Sequence, residues 1–186
     1  MASLHVSILQ AEDGGVVLAQ GQNGDSALMV FITPQVAETE RQRANDETLQ
    51  VGIIDLATVF ANWDGAIIFR SSPEEVAKAH ELDAESGQFL APVFFVMAGD
   101  VEARIATEQG PITPILTAYS DAESLAAQLS NSDEEIEIVP IELAALLRAL
   151  QVDGAVGGYQ FFTHPQTVSV INARPAETSP PQGANQ

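Results

Sequence analysis

The chain has 186 residues, of which 46% are hydrophobic, with 26 Asp and Glu against 7 Lys and Arg and a formal charge of -19. That length buries roughly 70% of the unfolded surface on folding, which supports a real core, while the charge excludes nucleic acid as a partner because phosphates would be repelled. No apolar run approaches the ~20 residues of a membrane helix, which excludes membrane insertion by such a span, and the lack of cysteine removes disulfides, thiol nucleophiles and zinc-thiolate sites.

From the amino end, Met1-Ala2-Ser3-Leu4-His5 has neither a basic stretch nor an apolar one, so the sequence as it stands predicts a cytoplasmic protein. Removal of an export signal would instead place it in a periplasm or envelope space. "VSILQAEDGGVVLAQ" is an apolar run, an Asp-Gly turn and a second apolar run, the pattern of a hairpin. A third strand is predicted over Ala27 to Ile32, then a helix opening at Thr33-Pro34, where proline lacks only a hydrogen that would go unpaired in the first turn. Leu49, Val51 and Ile53 alternate with polar or small neighbours as a strand does. Leu56, Val59, Phe60 and Trp63 fall at i, i+3, i+4, i+7 and predict a helix with one apolar stripe. A strand at Ile67-Ile68-Phe69 and a helix from Ser72-Pro73 to about Leu82 complete the unit, and "DAESG" breaks the chain there.

The same grammar then returns at a shift of 87 residues. Val6 matches Val93, Ala11 Ala98, Asp13 Asp100, Ala19 Ala106, Asp46-Glu47 Asp133-Glu134, and Leu56-Ala57 Leu143-Ala144. "VFFVMAGDVEARIAT" repeats the hairpin, Ile115 to Tyr119 the third strand, Ser120 with Glu123 a helix-capping box, Ile136 and Ile138 the fourth strand, and Leu143, Leu146, Leu147 and Leu150 the stripe. Tyr159-Gln160-Phe161-Phe162 is the last strand. Further on, Phe69 and Pro73 answer Phe161 and Pro165. These matches predict an α/β protein of α+β type, a tandem duplication of a β-β-β-α-β-α-β module with pseudo-twofold symmetry. Residues 1–82 form the first unit, 83–90 a linker, 91–172 the second unit, and 173–186, which offer nothing to bury, a disordered tail. Trp63 and Leu150 are then twins.

Pro92-Val93-Phe94-Phe95, Ala118-Tyr119-Ser120 with Glu123, Ile138-Val139-Pro140-Ile141, and Phe161-Phe162 with His164-Pro165 resemble the motifs of the Tic twenty-two-like family. That family comprises the 22 kDa subunit of the chloroplast inner-envelope translocon and its cyanobacterial relatives. The resemblance implies a non-enzymatic, chaperone-like role in protein transport, with client proteins or peptides as partners and no cofactor. "VFITPQVAE" and "IELAALLRAL" also resemble the SseB-like family, which implies a cytoplasmic regulatory or interaction module.

Few residues suggest chemistry. There is no phosphate loop ending in Gly-Lys-Ser/Thr and no Gly-x-Ser-x-Gly elbow. His5, His80 and His164 are far apart in sequence, and His80 with Glu81 and Asp83, or Glu134-Glu135, would need help from elsewhere to hold a metal. Phe94-Phe95 and Phe161-Phe162 place rings on both faces of a strand. Either both faces are covered, or Phe94, Phe95, Phe161 and Phe162 supply rings to a groove for client segments.

Overall fold

The computed structural model describes residues 4–20, 24–107, 110–129, 135–152 and 158–162. The first half comprises β1 (His5–Gln10), β2 (Leu18–Gln20), β3 (Ser26–Phe31), α1 (Pro34–Ala44), β4 (Gln50–Asp55), α2 (Leu56–Asn62), β5 (Ala66–Arg70) and α3 (Pro73–Leu82). The second comprises β6 (Pro92–Ala98), β7 (Val101–Glu102), β8 (Ile105–Thr107), β9 (Gly110–Leu116), α4 (Tyr119–Leu129), β10 (Ile136–Glu142), α5 (Leu143–Val152) and β11 (Tyr159–Phe162).

Two mainly antiparallel sheets result, ordered β2-β3-β1-β4 with β5 beside β3, and β10-β6-β9-β11 with β7 on β6 and β8 on β9. Their registers run alike. Ser7 faces Ile53 in the first sheet and Phe94 faces Pro140 in the second; Ser7 also meets Phe31, as Phe94 meets Leu116. Each sheet contains one parallel pair, β3 with β5 and β9 with β11.

Alternation along the strands decides where the core lies, because successive side chains point to opposite faces. Leu4, Val6 and Ile8 on one central strand and Ala91, Val93 and Phe95 on the other enter a single buried cluster. Leu56 and Val59 of α2 and Leu143 and Leu146 of α5 join it. The inner faces of both sheets therefore share one core. Outside the second sheet, Phe94, Val96 and Phe162 pack with Ala79 of α3 and Ala122 and Leu125 of α4. Outside the first, the cluster is smaller, with Leu9 and Phe31 under Ala37 of α1.

Several local expectations need correcting. Each hairpin is short: Gln10 bridges Val16 and β6 pairs β7, after which the chain bends away so that β2 and β8 pair the third strand instead. Gly14 and Gly99 make those turns at φ 82° and 59°, where a Cβ would be strained. Asp13 Oδ1 accepts from Gly15 N at 2.9 Å. The third strand of the second half ends at Leu116, ahead of the predicted Tyr119, and Tyr119 opens α4, so Ser120 lies inside the helix and not at its cap. The stretch 83–90 is more than a tether, since Phe89 is buried and Ser71 N donates to Leu90 O at 3.0 Å. Residues from 163 onward, including the predicted tail, lie outside those described.

Trp63 and Leu150 are half-buried and pack on the same shared core. Trp63 caps the end of α2 and its Nε1 donates to Ala66 O at 3.0 Å, so its ring lies against Gly65 at the rim. Partial burial lowers the expected cost of removing it. Leu143→Ala, at a fully buried site, should cost about 2–5 kcal/mol, whereas Trp63→Ala should cost less, about 1–3 kcal/mol; urea unfolding of both variants measures the order.

Candidate functional site

The four phenylalanines expected to line a groove are all buried, at 0% exposure for Phe94, 2% for Phe95, 8% for Phe161 and 4% for Phe162. Phe95 and Phe161 point into the shared core, and Phe94 and Phe162 into the outer core of the second sheet. Both faces of their strands are covered, so these rings hold layers together and do not line an open groove. His80 stacks edge-on against Phe89 at 5.3 Å, and Glu135 is exposed. Glu134 and His164 lie outside the described residues. No three His, Asp or Glu side chains converge as metal ligands among the described residues.

A cleft lies elsewhere, at the junction of the two halves. Because β3 and β5 run parallel, their carboxyl ends fall on one edge, and the helices that follow them, α1 and α3, both start there. The turn before α4 and the stretch around Phe89 close the other side, giving a cleft of about 890 Å³. Thr33 Oγ1 caps α1 by accepting from Val36 N at 3.4 Å, and Ser72 Oγ caps α3 by accepting from Glu75 N at 3.3 Å. Proline follows each cap, as suits a position with no partner for an amide hydrogen.

Met29, Val36, Val76 and Leu90 give the cleft apolar surface, and Arg43 and Arg70 stand among its lining residues. Arg43 is paired with Glu40 at 2.5 Å. The Arg70 guanidinium is exposed and lacks an ion pair among the described residues. Glu40, Glu74 and Glu75 line the cleft as well, so its charges are mixed, and the amino ends of α1 and α3 add partial positive charge. It combines apolar contact area with donors able to hold a chain carbonyl or carboxylate.

One site residue was invisible in the sequence. Glu75, on α3, reaches across to α4, where its Oε2 accepts from Tyr119 N at 2.8 Å. It thereby supplies the cap that Ser120 was expected to give. Burial raises the Glu75 pKa above the usual glutamate range; the Tyr119 amide opposes the shift, and the charges of Asp121 and Glu74 add to it. Tyr119 in turn has Lys78 Nζ 5.5 Å from its ring centre and Phe94 edge-on at 5.7 Å. A Glu that caps another helix leaves no periodic mark, because its partner is 44 residues away.

No protein-family model and no curated protein matches the chain. Solved structures do. The chain has a Tic22-like fold, similar to Anabaena Tic22, described as a protein-transport protein, with TM-score 0.68 at 18% identity over 96% of this chain and 94% of that one. It is also similar to Tic22 from Plasmodium falciparum, with TM-score 0.66 at 13% identity over 91% of this chain and 92% of that one. No helix among the described residues is long and apolar enough to cross a membrane.

The raised pKa of Glu75 fixes a sign. Its contribution to stability is fully present below the usual glutamate range and is lost as pH rises through the raised folded value. Glu75→Gln keeps an acceptor for Tyr119 N without the buried charge, so its thermal midpoint should match or exceed that of the natural chain at neutral pH, the gain vanishing in acid. Glu75→Ala, which removes the cap, should lose about 1 kcal/mol.

Proposed function

We propose that this chain is a non-enzymatic protein-binding component of protein transport that holds client segments in a chaperone-like manner. The observation that carries the reading is the near full-length likeness to Anabaena Tic22, a protein-transport protein. The fold alone would leave the function open, since one fold hosts many activities; the cleft supports this particular reading. It is open and partly apolar, and its lining among the described residues includes hydroxyls but no histidine. The hydroxyls of Ser72 and Thr117 are committed, the first as a helix cap and the second as a donor to Phe162 O at 3.1 Å.

We read the architecture as a tandem duplication about a pseudo-twofold axis, with units 1–82 and 91–172. Support comes from the recurrence of Ser7–Ile53 pairing as Phe94–Pro140. The charge of -19 suits a holding protein, because net charge keeps a loaded complex soluble.

The test is light scattering from a thermally unfolding model client mixed with stoichiometric protein. Suppressed scattering is expected, and Val36→Asp combined with Arg70→Glu should weaken it by about fivefold in apparent affinity, roughly 1 kcal/mol. Scattering unchanged by the natural chain would overturn the reading, and co-purification of one defined cytosolic partner would favour an SseB-like module.

A further inference from the structure

Each sheet has an edge strand that leads straight into a helix, β4 into α2 and β10 into α5. In an antiparallel pair, alternate residues exchange hydrogen bonds with the neighbour and the residues between them turn their amides and carbonyls outward. Leu56 N donates to Leu4 O at 2.8 Å, which sets the phase of β4. Ile54 and Gly52 are therefore bonded to Val6 and Ile8, and the backbone groups of Val51 and Ile53 point away from β1. By the same reasoning, the bond from Leu143 N to Ala91 O at 3.0 Å turns the backbone of Pro140 outward from β6.

The two edges differ at that outward position. Pro140 has no amide hydrogen to donate and is buried, so β10 cannot extend its ladder there; proline on an edge is a device against the addition of another strand. Ile53 stands in the matching register, three residues ahead of Leu56 as Pro140 is ahead of Leu143. It keeps its amide hydrogen, and its side chain is 66% exposed. The strand Gln50–Asp55 holds neither proline nor a basic residue, and no strand other than β1 pairs it among the described residues. One helix-leading edge is closed by its sequence, and the other is open.

Charge beside the open edge decides what fits it. Glu12 and Asp13 follow Gln10, the partner of Gln50, and Asp46 and Glu47 precede Gln50; all are exposed. The basic residues of the adjoining helix end, Arg41 and Arg43, are ion-paired with Glu38 and Glu40. A second copy of this chain, carrying -19, would be repelled. The far edge of the same sheet, β5, ends in Arg70, which opposes a cation. We propose that β4 takes up an extended, cationic polypeptide segment as an added strand. The backbone of that segment bonds the outward amides and carbonyls of Val51 and Ile53, and its apolar side chains lie beside Ile53. This surface is separate from the cleft and does not depend on it.

The test uses the full chain and a fluorescent peptide of about ten residues that alternates Val with Lys, a sequence suited to a strand. Fluorescence anisotropy should show binding that Ile53→Pro weakens at least about tenfold, because the substitution removes an outward amide and no bond to β1. Circular dichroism checks that this variant folds. Ile53→Lys, which keeps every backbone group and places a like charge against the peptide, should weaken binding in the same direction. On the natural chain, a carbon-13 carbonyl label in the peptide should move to the infrared frequency of a paired strand when it binds. Full affinity in both Ile53 variants would overturn the proposal, as would a bound peptide whose label stays at the disordered frequency. A dimer of the natural chain that Ile53→Lys abolishes would also overturn it, assigning the edge to a second copy. Arg70→Gln, in the cleft, should leave peptide affinity unchanged; loss there with none in the Ile53 variants would assign the peptide to the cleft instead. The client-holding reading is judged separately by light scattering.

Discussion

The constraint on which the structure depends is that neither sheet has an inner layer of its own. Leu4, Val6, Ile8 and Val30 from one sheet and Ala91, Val93, Phe95 and Ile115 from the other are buried in one cluster, which Leu56 and Val59 of α2 and Leu143 and Leu146 of α5 complete. Removing either sheet would expose the inner face of its partner, and burial of apolar area at about 25 cal/mol per Å² is the dominant favourable contribution to folding. Backbone bonds tie each half at the same point. Leu56 N donates to Leu4 O at 2.8 Å and Leu143 N to Ala91 O at 3.0 Å, so the helix after each edge strand is fixed to the residue before each central strand.

From that shared core follows the placement of everything else. The helix α3 belongs to the first half in sequence but packs on the outer face of the second sheet. The cleft exists because of this crossing. Its walls come from α1 and β3 on one side and from the start of α3, the stretch around Phe89 and the turn into α4 on the other. Glu142 reinforces the seam, its Oε2 accepting from Leu90 N at 2.9 Å and from Ala91 N at 3.2 Å. Glu75 does the same between α3 and α4. Among the described residues, Glu75 and Glu142 are thus acids that satisfy backbone amides at the junction of the halves.

Much of this was legible in the sequence because local periodicity reports local geometry. The stripe Leu143, Leu146, Leu147, Leu150 of α5 faces the shared core throughout, and Thr33-Pro34 and Ser72-Pro73 start α1 and α3 as their chemistry requires. Where the reading failed, the missing information was tertiary. Leu49, Val51 and Ile53 alternate as a buried face would, yet Ile53 is exposed, because no neighbour in the described residues covers that end of β4. Adjacent rings at Phe94-Phe95 reported a strand covered on both faces or a groove, and only the packing of α3 and α4 distinguishes the two. The cleft itself left no motif. Its residues come from α1, β3, α3, the stretch around Phe89 and the turn into α4, which sequence spacing does not bring together.

The central claim, that the two sheets fold as one cooperative unit through their shared core, has a direct measurement. The chain has one tryptophan, Trp63, which packs on that core from the first half, while far-ultraviolet circular dichroism reports the strands and helices of both halves. Urea unfolding followed by the two signals on one sample should give a single coincident transition, as two-state behaviour requires. Separate midpoints, with tryptophan fluorescence lost before or after half of the ellipticity, would show that the halves unfold independently and would contradict the account.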